Sequence, residues 1–274
     1  MKIRILDHGN KAAAELLWHS IAERIPLETD GDLGPLYELC IDPELSVPGS
    51  FRVGGRSCQI RISAADEAGL IFGIGKLLRT GIWQEDWFTP VPDNADCLPE
   101  NLRRAVTVSS AELKYRDGRP DEDSAGLLTA LAFFGCNTVV LARPSVPAPG
   151  SPEEAEDSTL AESLGSLGLS LEEIVSDDPA VSGEVSAAAR TLLEIDRVRY
   201  LAGLWNKSGI PETFFREYCN LFFAPFLADE IAKIASFAAE GRISEAKRLI
   251  DDTALLLPER VRCGLRWRSL SETI

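Results

Sequence analysis

Histidine is scarce in this chain. His8 and His19 are the only two, and both fall near the N-terminus. No nucleophile with a histidine base can be assembled from them. The six cysteines (Cys40, Cys58, Cys97, Cys136, Cys219 and Cys263) are scattered without a C-x-x-C. With so few histidines and no ligand spacing, neither a zinc site nor any cofactor is expected, and buried free thiols in a reducing compartment are the simplest reading. Positive charge is also short: 28 Lys and Arg against 43 Asp and Glu leave a net charge of −15. That balance excludes nucleic acid and an anionic membrane as partners, because both require a positive surface. It gives no general attraction for a strongly acidic substrate, although a local basic pocket could still hold one. Long apolar runs are missing, which excludes a transmembrane helix. The opening MKIRILDHGNKAAAELLWHS has no apolar core and no small-residue cleavage site. A cytoplasmic location is therefore expected, or a secreted or periplasmic one if a signal was removed.

Hydrophobic residues make up 45% and charged residues 26%, as in a soluble globular protein. The 274 residues can bury one large core or two modest ones. The spacing predicts an α/β fold: a two-layer N-terminal α/β domain over 1–99, a short βα segment over 100–183, and a helical region over 184–274. In the first, Lys2–Leu6 reads as a strand, and Asn10 caps a helix over Lys11–Arg24 that Pro26 ends. Leu36–Ile41 is a second strand. Phe51–Val53, a Gly54-Gly55 turn and Ser57–Ser63 form a hairpin. A helix follows over Ala65–Thr80, with Leu70, Ile71, Ile74, Leu77 and Leu78 at the spacing of one buried face. Gly69, Gly73 and Gly75 weaken it as an isolated helix and let it lie close against another element. They do not form a phosphate cradle, since they sit inside a helix with no lysine-serine after them.

Gly81–Pro99 reads as a loop. Arg103–Val108 and Ala111–Arg116 read as extended, and Asp123 or Ser124 caps a helix ending at Gly135. Asn137–Ala142 is a buried-type strand. Pro144–Asp157, rich in proline and acid, reads as an exposed linker. Ser158–Leu167 is a helix, and Leu169–Val175 fits a strand or more helix. Helices are predicted near Ser186–Lys207, Pro211–Phe223, Pro225–Glu240 and Ile243–Leu256. Pro211 and Pro225 stand at helix starts.

The strand ending Ile60-Arg61-Ile62, followed by ADEAGLIFGIGKLLR, resembles a signature of the small α/β domain that precedes the barrel in β-hexosaminidases, α-glucuronidases and related glycoside hydrolases. LTALAFFGCNTVVLA resembles the first helix and second strand of those barrels. Leu113-Lys114-Tyr115-Arg116 resembles the Y-R-G run that opens them, with Asp117 standing between the arginine and Gly118. The helical tail is similar to the segment that follows the barrel in α-glucuronidase-like enzymes. The resemblance implies a carbohydrate-active protein. A complete (β/α)₈ barrel takes about 200 to 250 residues, and fewer than 90 lie between the first domain and the helical tail. The expectation is a shortened barrel of two or three βα units, and with it either a glycoside hydrolase or a non-catalytic module that binds a glycan or a protein.

Glycoside hydrolysis needs two carboxyl groups facing across the bond. Asp177 and Asp178 follow the candidate third strand at the end where barrel sites lie. As neighbours they need a partner such as Glu112 or Asp117, and a solvated loop before Pro179 is the plain alternative. Arg116 and Arg143 end two candidate strands and could hold sugar hydroxyls or a carboxylate; structural ion pairing explains them equally. Trp83 and Trp87, with Phe88, could stack on a sugar ring or plug the seam between two domains. The Phe214-to-Phe223 stripe is core or a homo-oligomer contact through the C-terminal helices.

Overall fold

The computed structural model describes residues 1–27, 34–56, 58–116, 119–144, 154–176, 187–205, 209–257 and 265–273. The first layer is built in the order β1 (Arg4–Leu6), α1 (Lys11–Ala22), β2 (Leu36–Ile41), β3 (Phe51–Arg56), β4 (Gln59–Ala64) and α2 (Glu67–Thr80). Three short strands follow: β5 (Ile82–Trp83), β6 (Phe88–Thr89) and β7 (Asp96–Cys97). The resulting five-stranded sheet runs β1-β2-β4-β3-β7. Strands β1, β2 and β4 are parallel, and β3 is antiparallel to β4 and β7. The register sets Leu39 and Val53 on either side of Ile62. These side chains, with Tyr37, Phe51 and Ile60, are buried. Strand alternation therefore turns Glu38, Arg52, Gln59 and Arg61 to the other face.

Helix α2 is buried on almost every side. Asp66 caps it: Oδ1 accepts from the Gly69 N–H at 2.7 Å, and Oδ2 accepts from the Gly49 N–H at 2.9 Å. A Cβ at Gly73 would stand 2.5 Å from Ile62 Cγ2 in the sheet, and one at Gly75 would stand 2.4 Å from the Phe133 carbonyl oxygen. The two glycines thus open opposite sides of one helix to close contact.

That second side meets a parallel sheet unit. It comprises β8 (Ala105–Ser109), a 3₁₀ turn (Ser110–Glu112), β9 (Tyr115–Arg116), β10 (Arg119–Pro120), α3 (Glu122–Phe133), β11 (Thr138–Pro144), α4 (Glu154–Ser166) and β12 (Ser170–Ser176). The sheet order is β12-β11-β8, all parallel, with α3 and α4 as the crossovers. The helical region follows as α5 (Ala187–Leu204), α6 (Phe214–Phe222), α7 (Ala228–Ala239), α8 (Ile243–Ala254) and α9 (Leu265–Thr273). One hydrophobic core runs from Ile3 to Leu270. Among the described residues no helix is long and apolar enough to cross a membrane.

Charged groups tie these layers together internally. Arg79 of α2 donates to Glu217 of α6 at 2.8 Å and to the Phe133 carbonyl at 2.7 Å. The Asn220 side-chain amide donates to the carbonyls of Arg79 and Gly81. Glu194 accepts from Tyr218 Oη at 2.8 Å and from Arg266 Nε at 2.9 Å, joining α5, α6 and α9. Arg104 is 1% exposed. Its guanidinium carbon lies 4.7 Å from the centre of the Trp205 ring and 5.1 Å from that of Phe72. Nε donates to the Gly135 carbonyl and Nη1 to that of Asn101. Burial pushes its pKa down to about 10.

The structure departs from the sequence expectations at several points. Gly54 and Gly55 lie inside β3 rather than at the turn, opposite Arg61 and Ile60. Gly55 takes a φ of +111°, which a glycine tolerates, and Asn94 accepts its N–H at 2.9 Å. Asp121, not Asp123 or Ser124, caps α3, while the Ser124 hydroxyl accepts from the Lys114 N–H. Ala111 and Glu112 form a 3₁₀ turn instead of extended chain. The Gly81–Pro99 stretch contributes a hairpin and an edge strand. Helix α4 begins at Glu154, inside the expected linker, whose residues 145–153 lie outside the described residues. Helix α9 has no counterpart in the expectations. Cys40, Cys136 and Cys219 are buried free thiols as expected, but Cys58 is exposed and Cys97 half-buried.

Two outcomes follow from these contacts. Gly75→Ala should cost about 1–3 kcal/mol, because backbone cannot yield as a side-chain tip does. Gly165→Ala, where a Cβ meets nothing within 4 Å, should gain up to about 1 kcal/mol. Urea unfolding of both variants checks this, and equal stability of Gly75→Ala with the parent would remove the close-contact argument. The second concerns acid. Burial opposes ionisation of Glu217, but Arg79 and Lys76 outweigh it and hold its carboxyl below the ordinary 4.5. A depressed folded value gives stability that is present above the unfolded value and lost as pH falls below it. Stability measured from pH 6 to pH 3 should therefore fall more steeply in the parent than in Glu217→Gln.

Candidate functional site

Parallel βα sheets present their ligands at the carboxyl ends of the strands. Here those ends are Ser109 of β8, Pro144 of β11 and Ser176 of β12. At the first of them the chain turns through a capping box. Ser109 Oγ accepts from the Ala111 N–H at 3.2 Å, and Glu112 Oε1 accepts from the Ser109 N–H at 2.9 Å. Glu112 is 3% exposed. Arg197 from α5 grips it with two nitrogens, Nη1 to Oε2 at 2.6 Å and Nη2 to Oε1 at 2.7 Å. Both carboxylate oxygens are therefore engaged, in the bidentate geometry that suits arginine. The sequence offered a signal for this: S-x-x-E over Ser109–Glu112 is a capping-box pattern. Nothing in it pointed to Arg197, 85 residues away.

At the second strand end, Arg143 pairs with Glu173 of β12, Nη2 to Oε1 at 3.3 Å. Arg116 is exposed in the two-residue β9, which pairs with β10. Asp177 and Asp178 follow β12 directly but lie outside the described residues, as does Asp117. Trp83 is held among first-layer groups. Arg24, just after α1, lies 4.0 Å from the centre of its ring, Phe88 packs at 4.3 Å between ring centres, and its indole N–H donates to the Leu78 carbonyl at 2.9 Å. Trp87 is 44% exposed at the tip of the same hairpin, and Phe88 is fully buried. The hairpin thus offers one free aromatic face, that of Trp87. Among the described residues no group of three His, Cys, Asp or Glu side chains is gathered to hold a metal ion.

No protein-family model matches the chain, and no curated protein matches it. Solved structures do. Glycoside hydrolases are among the solved structures similar to it. A mutant β-hexosaminidase from Streptomyces plicatus, in complex with its product GlcNAc, aligns at a TM-score of 0.46 with 16% identity, over 64% of this chain and 40% of that one. The GH20 β-N-acetylhexosaminidase from Streptomyces coelicolor aligns at 0.47 with 14% identity, over 64% of this chain and 41% of that one. The GH20 exo-β-N-acetylglucosaminidase from Vibrio harveyi aligns at 0.46 with 12% identity, over 98% of this chain and 50% of that one. The chain spans half or less of the length of these three enzymes.

The Glu112–Arg197 geometry makes a stability prediction. Removing one member leaves the other buried and uncompensated, which costs about 3–5 kcal/mol. Arg197→Met and Glu112→Leu should each lose that much in denaturant unfolding. The double variant should lose clearly less than the sum of the two. Strict additivity would show that the pair is not a unit.

Proposed function

We propose that this chain is a glycoside-hydrolase-related carbohydrate-binding protein that engages a saccharide without cleaving it. The reading joins the resemblance of its ADEAGLIFGIGKLLR and LAFFGCNTVVLA runs to the layered arrangement of a mixed sheet, α2 and parallel βα units. The observation that carries the non-hydrolytic part is the state of Glu112. It is the carboxylate best placed at the carboxyl end of β8, and Arg197 and its own turn occupy both its oxygens. A general acid must be free to give up a proton to the leaving oxygen, and a nucleophile must present a bare oxygen to the sugar. Glu112 does neither while Arg197 holds it. Arg116 and the Trp87 face are the groups at which a sugar could be held by hydrogen bonds and stacking.

A second reading, an active hydrolase, is favoured by one feature. Strand β12 is parallel and ends at Ser176, which Asp177 and Asp178 follow directly in the sequence. The two readings separate in one pair of assays on the full chain. On a glycan array the protein should retain at least one saccharide class, and on a panel of aryl glycosides, N-acetylhexosaminides and glucuronides included, it should show no turnover. Turnover abolished by Asp177→Asn or Asp178→Asn would replace the binding reading with the hydrolase one. Folded protein that neither binds nor cleaves any member would remove carbohydrate from the assignment.

A further inference from the structure

The outer face of the first sheet carries a feature that the parallel sheet does not use. Helices α1 and α2 and the core lie on the inner face, so the side chains that alternate outward from β2, β4 and β3 stand together. They line a polar depression of about 700 Å³ bounded by Glu38, Asp42, Arg52, Arg56, Gln59 and Arg61. That volume is in the range of small-molecule sites. Its form follows from the sequence: Gly54, cross-strand from Arg61, leaves out a side chain in the middle of the face. Arg56 stands cross-strand from Gln59, next to the exposed Cys58.

The charges in this depression are not equally spent. Arg52 is bound by Asp96 through Nε. Arg61 donates Nε to Cys40 Sγ at 3.2 Å, with Glu38 4.0 Å away, and among the described residues makes no such bond through its two terminal nitrogens. Arg56 is exposed and has no carboxylate partner among the described residues. Glu38 is already turned to His8, at 3.0 Å. Among the described residues the depression therefore offers one uncommitted guanidinium and the outer fork of a second. Beside them stands the Gln59 amide, which can pair with neutral hydroxyl groups. In a protein of net charge −15, such a place suits a ligand with a single planar anionic group on a hydroxyl-rich body rather than a polyanion.

We propose that this face binds a carboxylate-bearing saccharide, with Arg56 and the terminal nitrogens of Arg61 on the carboxylate and Gln59 on a ring hydroxyl. The choice of a saccharide rests on the carbohydrate reading above; the choice of an acidic one rests on the two arginines. The test is isothermal titration of the full chain with sodium D-galacturonate and, in parallel, with D-galactose, which differs at the carboxylate alone. Galacturonate should bind at least about tenfold more tightly than galactose, as expected for a charge-assisted pair. Arg56→Ala should lose that advantage, Arg56→Lys should keep part of it, and Arg248→Ala, on the exposed face of α8 away from the depression, should leave it unchanged. Arg56 is exposed and holds no structural bond among the described residues, so these variants should fold as the parent does.

Equal affinity for the two sugars, or galacturonate binding that Arg56→Ala leaves intact, would overturn the assignment. Those results would leave the broader reading standing wherever the glycan array retains a neutral saccharide. Galacturonate binding lost with Arg56 would uphold the depression even if the array shows no neutral ligand.

Discussion

Gly75 lets α2 meet the backbone of Phe133, Gly69 lets it meet the Ser50 carbonyl just before β3, and Gly73 lets it meet the first sheet. A Cβ at any of the three would stand 2.4–2.6 Å from atoms of the partner element. Small residues at helix contacts shorten the distance between elements and raise the number of atoms in dispersion contact. The helix is poor in isolation for the same reason it is good in place: glycine costs helix propensity and permits contact on two sides. Its nine buried residues are shared between two sheet units. The parallel sheet unit thus takes its place from a helix that belongs, by chain order, to the first layer. Gly168, before β12, repeats the device. It takes a φ of +66°, and a Cβ there would stand 2.7 Å from Ala68 Cα at the start of α2.

Arginine is the second tie. In an acidic chain one expects cations to be scattered as surface partners. Instead Arg79, Arg104, Arg197 and Arg266 point inward and bond carboxylates, backbone carbonyls or both. Each carries several donors in a fixed plane, so one side chain can serve two elements. Arg266 spans Glu194 on α5 and the Gly126 carbonyl on α3 while lying 3.8 Å from the centre of the Phe222 ring. These four side chains serve the layers, and Arg56 on the open sheet face remains uncommitted. The same accounting separates Arg143, paired across the sheet with Glu173, from Arg116, which stands exposed.

Local pattern made the parts with one strong period legible. The strand at Leu36–Ile41 and the alternation into β4 are where the residues predict them, and so is β11, with its run of five buried residues. The close packing of α2 was legible because glycines inside a leucine-rich helix have few other uses. The hairpin turn was not. Gly54-Gly55 has turn chemistry, yet both residues pair across the sheet, since Asn94 from a distant loop meets the N–H that a positive φ turns aside. Arg104 was illegible for a related reason: a charged residue reads as surface until two aromatic rings and two carbonyls from other elements are brought to it. The Glu112 site was half legible, through its capping box but not through Arg197. The aspartates after β12 were visible as a position on a strand end, which is as much as local pattern can state about a site made by several chains of contact.

Binding and hydrolysis ask different things of such a scaffold. Hydrolysis asks for a carboxyl group that changes its protonation or bonding within each turnover. Freeing Glu112 for that role would strand the Arg197 guanidinium, 15% exposed, beside a pocket emptied of its counter-charge, and a stranded buried charge costs several kcal/mol. A catalytic cycle would meet that cost on every passage. Binding asks only that donors be held still and left unpaired. The outer sheet face meets that condition because its strands are fixed from behind by α2, whose position is in turn fixed by backbone contacts that admit no side chain. Rigidity supplied from the inner face leaves the outer face free to be polar, and the uncommitted guanidinium there is a consequence of that division.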